Sequence, residues 1–162
     1  MDFYVGVGHD HTVQDLLVLA RHAESVGFAG FTLGDHLSMA VAPKTPYPDG
    51  RPRFAVDAPW PDVWVFAAAM GALTTRLRFL STVFLLPLRH PLLVAKATAT
   101  AALVAGGRIE LGVGVGWQQD EFEVLGEDFR TRGARTDEAI EVLRKLWAPG
   151  PTEHSGRFFQ IP

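Results

Sequence analysis

A chain of 162 residues, 48% hydrophobic and 20% charged, can bury one real core, and its composition is that of a globular domain rather than a disordered or fibrous one. The formal net charge of -3 supplies no field for nucleic acid or an anionic membrane, so neither is expected as a partner. The absence of cysteine excludes a disulfide framework, a thiolate metal site and a cysteine nucleophile, and it suits a cytoplasmic protein.

Met1-Asp2-Phe3-Tyr4 has neither the basic nor the apolar region of a signal peptide, and the longest low-charge stretches are too interrupted for a membrane span. Phe3 to Gly8 reads as a short buried strand. Thr12 follows as a helix N-cap, with Asp15 three residues on in a capping-box relation. Val13, Leu16, Leu17, Ala20 and Ala23 recur at helical spacing, and Gly27 is the expected stop. Phe31-Thr32-Leu33 is a second strand that ends in Gly34-Asp35-His36. A long proline-rich loop, Leu37 to Trp60, comes next, and loops of that length inside compact domains are usually functional.

Pro61 to Thr75 reads as a helix with its proline at the first turn. Leu77 to Leu86 is a third strand, apolar on both faces. Leu92 to Ala105 is a helix closed by Gly106-Gly107, and Arg108 to Val115 is a fourth strand carrying alternating glycines. Gln118 to Leu125 is a short polar helical turn. The last helix is expected to start at Thr136, with Asp137 and Glu138 in its first turn, Arg144 and Lys145 near its end, and a buried stripe of Ala139, Ile140, Leu143 and Trp147. Gly156 to Pro162 reads as a strand just beginning.

The pattern is βα repeated four times, which implies a parallel sheet covered by helices. A doubly wound open sheet and a (β/α)8 barrel both fit. A barrel of about 250 residues needs twice as many units, so residues 1–162 are expected to form one domain that is half of something. In either architecture function sits at the carboxyl ends of the strands. That selects His9-Asp10-His11, Gly34-Asp35-His36, the stretch from Val83 to His90, and Gly114-Val115-Gly116-Trp117 with Asp120-Glu121 beyond.

Each place has a bland and a chemical reading. Asp35-His36 is either a packed or capping pair or a proton-transferring one. His9-x-His11 is either a solvated turn or a pair of metal ligands, and the turn is favoured because no further ligand cluster follows. Gly112-x-Gly114-x-Gly116 lacks the dinucleotide spacing, and its bare strand face admits either a flat ring or another backbone. Arg89, His90 and Lys96 are either a solvated helix start or an anion site.

The stretch Gly27-Phe28-x-Gly30-Phe31-x-x-x-Gly34-Asp35-His36 resembles the second βα unit of the luciferase-like monooxygenase superfamily. Thr45-Pro46-Tyr47-Pro48-Asp49-Gly50-Arg51-Pro52, Leu86-Pro87-Leu88-Arg89-His90-Pro91 with Ala95-Lys96, Gly107-Arg108, Leu111 through Trp117 to Glu121-Phe122, and Arg132 through Glu138 narrow the resemblance to actinobacterial coenzyme F420-dependent oxidoreductases. The resemblance covers nearly the whole chain and implies the N-terminal half of a (β/α)8 barrel. It implies His36 as the proton donor or base, with Asp35 beside it. It places a strand bulge with a cis peptide at about Val83-Phe84, under the cofactor ring, and it maps Gly116, Trp117 and Asp120 to the cofactor. Trp117 stands where the family often has a carboxylate. The implied activity is hydride transfer between coenzyme F420 and a small organic substrate, with no metal, in a homo-oligomer such as a dimer. The alternatives are an FMN-dependent monooxygenase using O2 and a non-catalytic half-barrel that acts as an assembly partner, since the family's phosphate-binding loops belong to the second half.

Overall fold

The computed structural model describes residues 1–6, 11–45, 47, 55 and 57–162. The strands are β1 (Tyr4–Gly6), β2 (Gly30–Leu33), β3 (Arg78–Ser81), β4 (Phe84–Leu85), β5 (Ile109–Glu110), β6 (Val113–Gly114), β7 (His154–Ser155) and β8 (Gln160–Ile161). The helices are α1 (Val13–Ser25), α2 (Val63–Leu73), α3 (Pro91–Val104), α4 (Gln119–Val124) and α5 (Arg132–Trp147). The chain divides into two units, one of Met1–Leu37, Phe54–Phe84 and Ala97–Val113, the other of Ser38–Arg53, Leu85–Lys96 and Gly114–Pro162.

The first unit holds a parallel sheet in the order β1-β2-β3-β5. Each new βα unit adds its strand on the same side. A doubly wound sheet reverses its order at a switch point, so the sequential order is that of a barrel. The helix-facing side is the core: Phe31, Leu33, Phe79 and Ser81 are buried, as are Ala20, Ala67, Met70 and Leu77. The opposite side carries Tyr4, Gly30 and Arg78 in register and Glu110 two positions along. Their side chains converge: the Tyr4 hydroxyl donates to Glu110 Oε1 at 3.0 Å, and Arg78 pairs with the same carboxylate. The Tyr4 ring gets there by passing over β2, where a Cβ on Gly30 would lie 2.2 Å from it. This side is polar and only half-buried, so β3 alternates rather than being apolar on both faces.

Side chains, not ladders, close the loops of this unit. The capping box is present: Thr12 Oγ1 accepts from Asp15 N at 3.1 Å and Asp15 Oδ2 from Thr12 N at 3.3 Å. Gly27 takes φ 92 after α1, the left-handed turn a helix stop requires. α2 starts at Val63, because Asp62 is its cap. Arg108 ties down its end, donating to Gly71 O in the last turn, to Thr74 O at the C-cap and to Leu77 O beyond it. Glu24 accepts the backbone N–H groups of Thr75, Arg76 and Leu77 at 2.9, 2.6 and 2.9 Å.

The second unit packs Leu85, Leu88 and Phe122 with Phe129. α5 begins at Arg132, four residues before the expected start. Thr136 is no cap: its hydroxyl donates to the Arg132 carbonyl one turn back. The helix is instead entered through a 3-10 turn, Phe129–Thr131, capped by Asp128. Its buried stripe is Thr136, Ala139, Val142 and Leu143. Trp147, expected inside, is 46% exposed on the last turn. The terminal segment, read as an opening strand, completes an antiparallel hairpin of β7 and β8. Glu138 pins that hairpin by accepting from Arg157, Phe158 and Phe159 N–H groups.

Burial alone would raise the Glu24 carboxyl, but N–H donation from Arg76, Leu77 and Thr75 outweighs it and holds the group below its ordinary value. A carboxyl held low in the fold stabilises it fully above the ordinary glutamate range, and that contribution is lost as the pH falls through the lower folded value. Glu24→Gln is therefore expected to lower stability at neutral pH and to flatten the acid limb of the stability curve. Urea midpoints taken from neutral pH down through the glutamate range check this. An acid limb identical in both proteins would contradict it.

Candidate active site

At the carboxyl end of β2, the Leu33 carbonyl accepts from Thr82 N at 2.7 Å, so the chain leaving β3 is tied to the residue that leads into Gly34-Asp35-His36. Asp35 is buried, at 6% exposure, and His36 is half-buried. The third strand was expected to run from Leu77 to Leu86 with a bulge and a cis peptide at about Val83-Phe84. It breaks after Ser81 and resumes at Phe84, and the peptide between Thr82 and Val83 is cis, one residue before the expected position. Thr82 and Val83 both face outward between buried Ser81 and Phe84, which departs from the alternation of a regular strand. Val83 leaves 43% of its surface open. Phe84 is fully buried and packs on Trp64, ring centroids 5.2 Å apart.

The fourth strand also splits, into β5 and β6. Ser81 Oγ donates to Gly112 O at 2.9 Å and accepts from Gly112 N at 3.0 Å, so the Gly112 N–H goes to a side chain, while its carbonyl is shared between that hydroxyl and Phe84 N at 2.8 Å. A Cβ on Gly112 would sit 2.3 Å from the Ser81 carbonyl oxygen. Of the two readings of the bare glycine face, the close approach of another backbone is the one met at this position.

The other expected site residues lie in the second unit. Gly116 has φ 79, and a Cβ there would meet the Phe122 ring at 3.0 Å. Trp117 packs edge to face with Tyr47, at 5.1 Å. Asp120 Oδ2 accepts from Lys44 N at 3.1 Å, while the Lys44 ammonium pairs with Glu123. The next residues inward form a clamp that sequence reasoning missed. Buried Gln118 donates from Nε2 to Ser38 O at 3.1 Å, and buried Glu121 accepts from Ser38 N at 3.3 Å. The two side chains stand in for a strand partner of Ser38. Their polar sequence gave no sign of burial.

Of the remaining candidates, His90 Nδ1 accepts from Leu92 N at 3.2 Å at the start of α3, its ring against Phe159. Arg89 donates to Leu85 O, and Lys96 lies exposed on α3. His11 is exposed before the Thr12 cap, whereas His9 lies outside the described residues, as do Pro46 and residues 48–52 of the loop motif. Among the described residues no His, Asp or Glu side chains cluster as a metal site. No helix among them is long and apolar enough to cross a membrane.

The residues at the end of β3 that could lie against a flat ring are exposed Val83 and buried Phe84, whose ring packs on Trp64, with the His36 imidazole just past the end of β2. The sequence model of the luciferase-like monooxygenase family matches residues 3–162.

This chain belongs to the luciferase-like monooxygenase family.

An uncharacterized protein of Mycobacterium tuberculosis is 39% identical over 147 residues, covering 89% of this chain and 51% of that protein. The F420-dependent glucose-6-phosphate dehydrogenase of Kribbella flavida is 32% identical over 150 residues, covering 90% and 41%. In structure the chain is similar to monooxygenase RslO1 from Streptomyces bottropensis, with TM-score 0.81 and 26% identity, covering 99% of this chain and 47% of that one. The fold is the luciferase-like (β/α)8 type, present as about four βα units, and the chain spans about half the length of the curated relatives it matches.

The Ser81–Gly112 contact predicts that Gly112→Ala costs about 1–3 kcal/mol, because backbone lies where the methyl must go. Urea unfolding measures this, and a change within about 0.5 kcal/mol would contradict so tight an approach.

Proposed function

We propose that this chain supplies the proton-transferring part of an oxidoreductase site in which a hydride passes between coenzyme F420 and a small organic substrate. The observation that carries the reading is the position of Asp35 and His36 just past the carboxyl end of β2, where the Leu33 carbonyl holds the N–H of Thr82 as the chain leaves the adjacent strand. The 32% identity to an F420-dependent dehydrogenase supports the choice of cofactor.

When bound, coenzyme F420 supplies or accepts the hydride. His36 gives or takes the accompanying proton at a ring nitrogen, a task suited to an imidazole near neutral pH. Asp35 places a carboxylate one residue away and orients that proton's carrier. Val83 and Phe84 back the ring. Gly116 and Trp117 are proposed cofactor contacts, and Asp120 is one whose carboxylate also holds the Lys44 backbone. The protein's work is thus binding, orientation and proton placement, since the cofactor carries the redox step.

A second reading, an FMN-dependent monooxygenase using O2, draws support from the likeness to monooxygenase RslO1. A third, assembly with a second copy in a homo-oligomer, draws support from β1 and β5, which stand at the two edges of the sheet.

Titration of the purified chain with coenzyme F420, followed by cofactor fluorescence with FMN in parallel, separates these readings. Saturable binding of coenzyme F420 alone near micromolar, about 8 kcal/mol, is the expected result. His36→Ala should keep that binding and lower turnover by roughly 10²–10⁴-fold. Binding of FMN alone would favour the monooxygenase. Binding of neither, with association rising with concentration in sedimentation velocity, would favour the assembly partner.

A further inference from the structure

We infer that Trp60 is a positioning residue for His36, a wall that fixes the orientation of its imidazole; the inference rests on the proton-transfer reading of His36. The two rings meet edge to face, centroids 4.9 Å apart and planes at 78°, within the range where aromatic pairs attract. A side chain that moves a proton works only in a narrow range of orientations. The backbone leading to His36 is not stiff by itself, since Gly34 precedes it and the regular strand has already ended at Leu33.

The backbone that carries Trp60, in contrast, is restrained by its own sequence. Pro59 and Pro61 flank it, so the ring of Pro61 confines Trp60 to extended backbone and the φ angles on either side of it are fixed. Asp62 follows as the cap of α2, its Oδ1 accepting from Trp64 N at 2.9 Å and Val65 N at 3.0 Å. One turn on, Trp64 is 3% exposed and anchored against Phe84. The Pro-Trp-Pro-Asp run therefore delivers an indole at a fixed place with little backbone freedom left to lose. A long loop that ends in so rigid a bracket against a strand-end histidine has a purpose beyond starting a helix, for which Asp62 alone suffices.

The test uses the whole chain with Trp60→Ala, Trp60→Phe and His36→Ala. In the ligand-free chain, NMR should show cross-ring contacts from the His36 ring protons to the Trp60 indole and one imidazole tautomer. Trp60→Ala should shift the His36 ring signals and mix the tautomers, and Trp60→Phe should restore them. Turnover with coenzyme F420 should follow the same order: kcat falls roughly 10- to 100-fold in Trp60→Ala with KM little changed, and recovers in Trp60→Phe. His36 signals indifferent to Trp60→Ala would overturn the inference whether or not the chain turns over. A rise in KM at constant kcat would overturn it too, making Trp60 a substrate contact. Full turnover in His36→Ala, with the His36 signals still dependent on Trp60, would instead remove the proton-transfer reading and leave the ring contact standing.

Discussion

The first unit depends on one omission, the missing side chain at Gly30. Through that gap the Tyr4 ring crosses β2, and its hydroxyl reaches the Glu110 carboxylate that Arg78 also holds. Burial, and then donation to Glu110, raise the Tyr4 hydroxyl above its ordinary pKa, so it stays a donor. Three strands are thereby joined on one face by side chains that converge. Convergence on one face is what the packed interior of a barrel requires, and it accompanies a strand order that never reverses. The same economy recurs at Gly112, where the Ser81 carbonyl oxygen occupies the space of a Cβ.

Loops are held throughout by carboxylates and amides that replace missing backbone partners. Glu24 does this for the turn into β3 and Glu138 for the terminal hairpin. In Glu138, burial raises the pKa, but the Phe159 and Phe158 N–H groups and His154 outweigh it and hold the carboxyl low. His154 takes the other side of that carboxylate, Nε2 at 3.2 Å from Oε1, while Nδ1 faces the Lys145 ammonium at 3.2 Å. An ammonium only donates, so Nδ1 accepts and Nε2 donates to Glu138. Gln118 and Glu121 serve Ser38 in the same manner. A fold that spends its polar side chains this way can end strands early and leave their carboxyl ends free for chemistry.

Much of this was legible in the sequence. The four βα units, the Thr12–Asp15 box, the stop at Gly27 and the family rest on local signals that short stretches carry in full. What the sequence hid were decisions made between distant residues. The third strand looks apolar from Leu77 to Leu86, and only the family resemblance marked the bulge near Val83; that Thr82 and Val83 both face outward there was not legible. The fourth looks continuous, yet the Gly112 N–H goes to the Ser81 hydroxyl. Thr136 looks like a cap because Asp137 and Glu138 follow it, but Phe129 and Arg132 start the helix earlier by packing on one another, guanidinium 3.9 Å from the ring centroid. At the site, Asp35 and His36 were legible from their place after a strand. Trp60 was visible only as the end of the long loop, because its partner lies across that loop.

The central claim is that the carboxyl ends of β2 and β3 form the face that receives the cofactor ring. Amide chemical-shift mapping of the isotope-labelled chain with coenzyme F420 tests it most directly. The account predicts that the largest changes cluster at Leu33 to His36 and Ser81 to Phe84. Changes confined to the amino ends of the strands, or to the hairpin around His154, would contradict it.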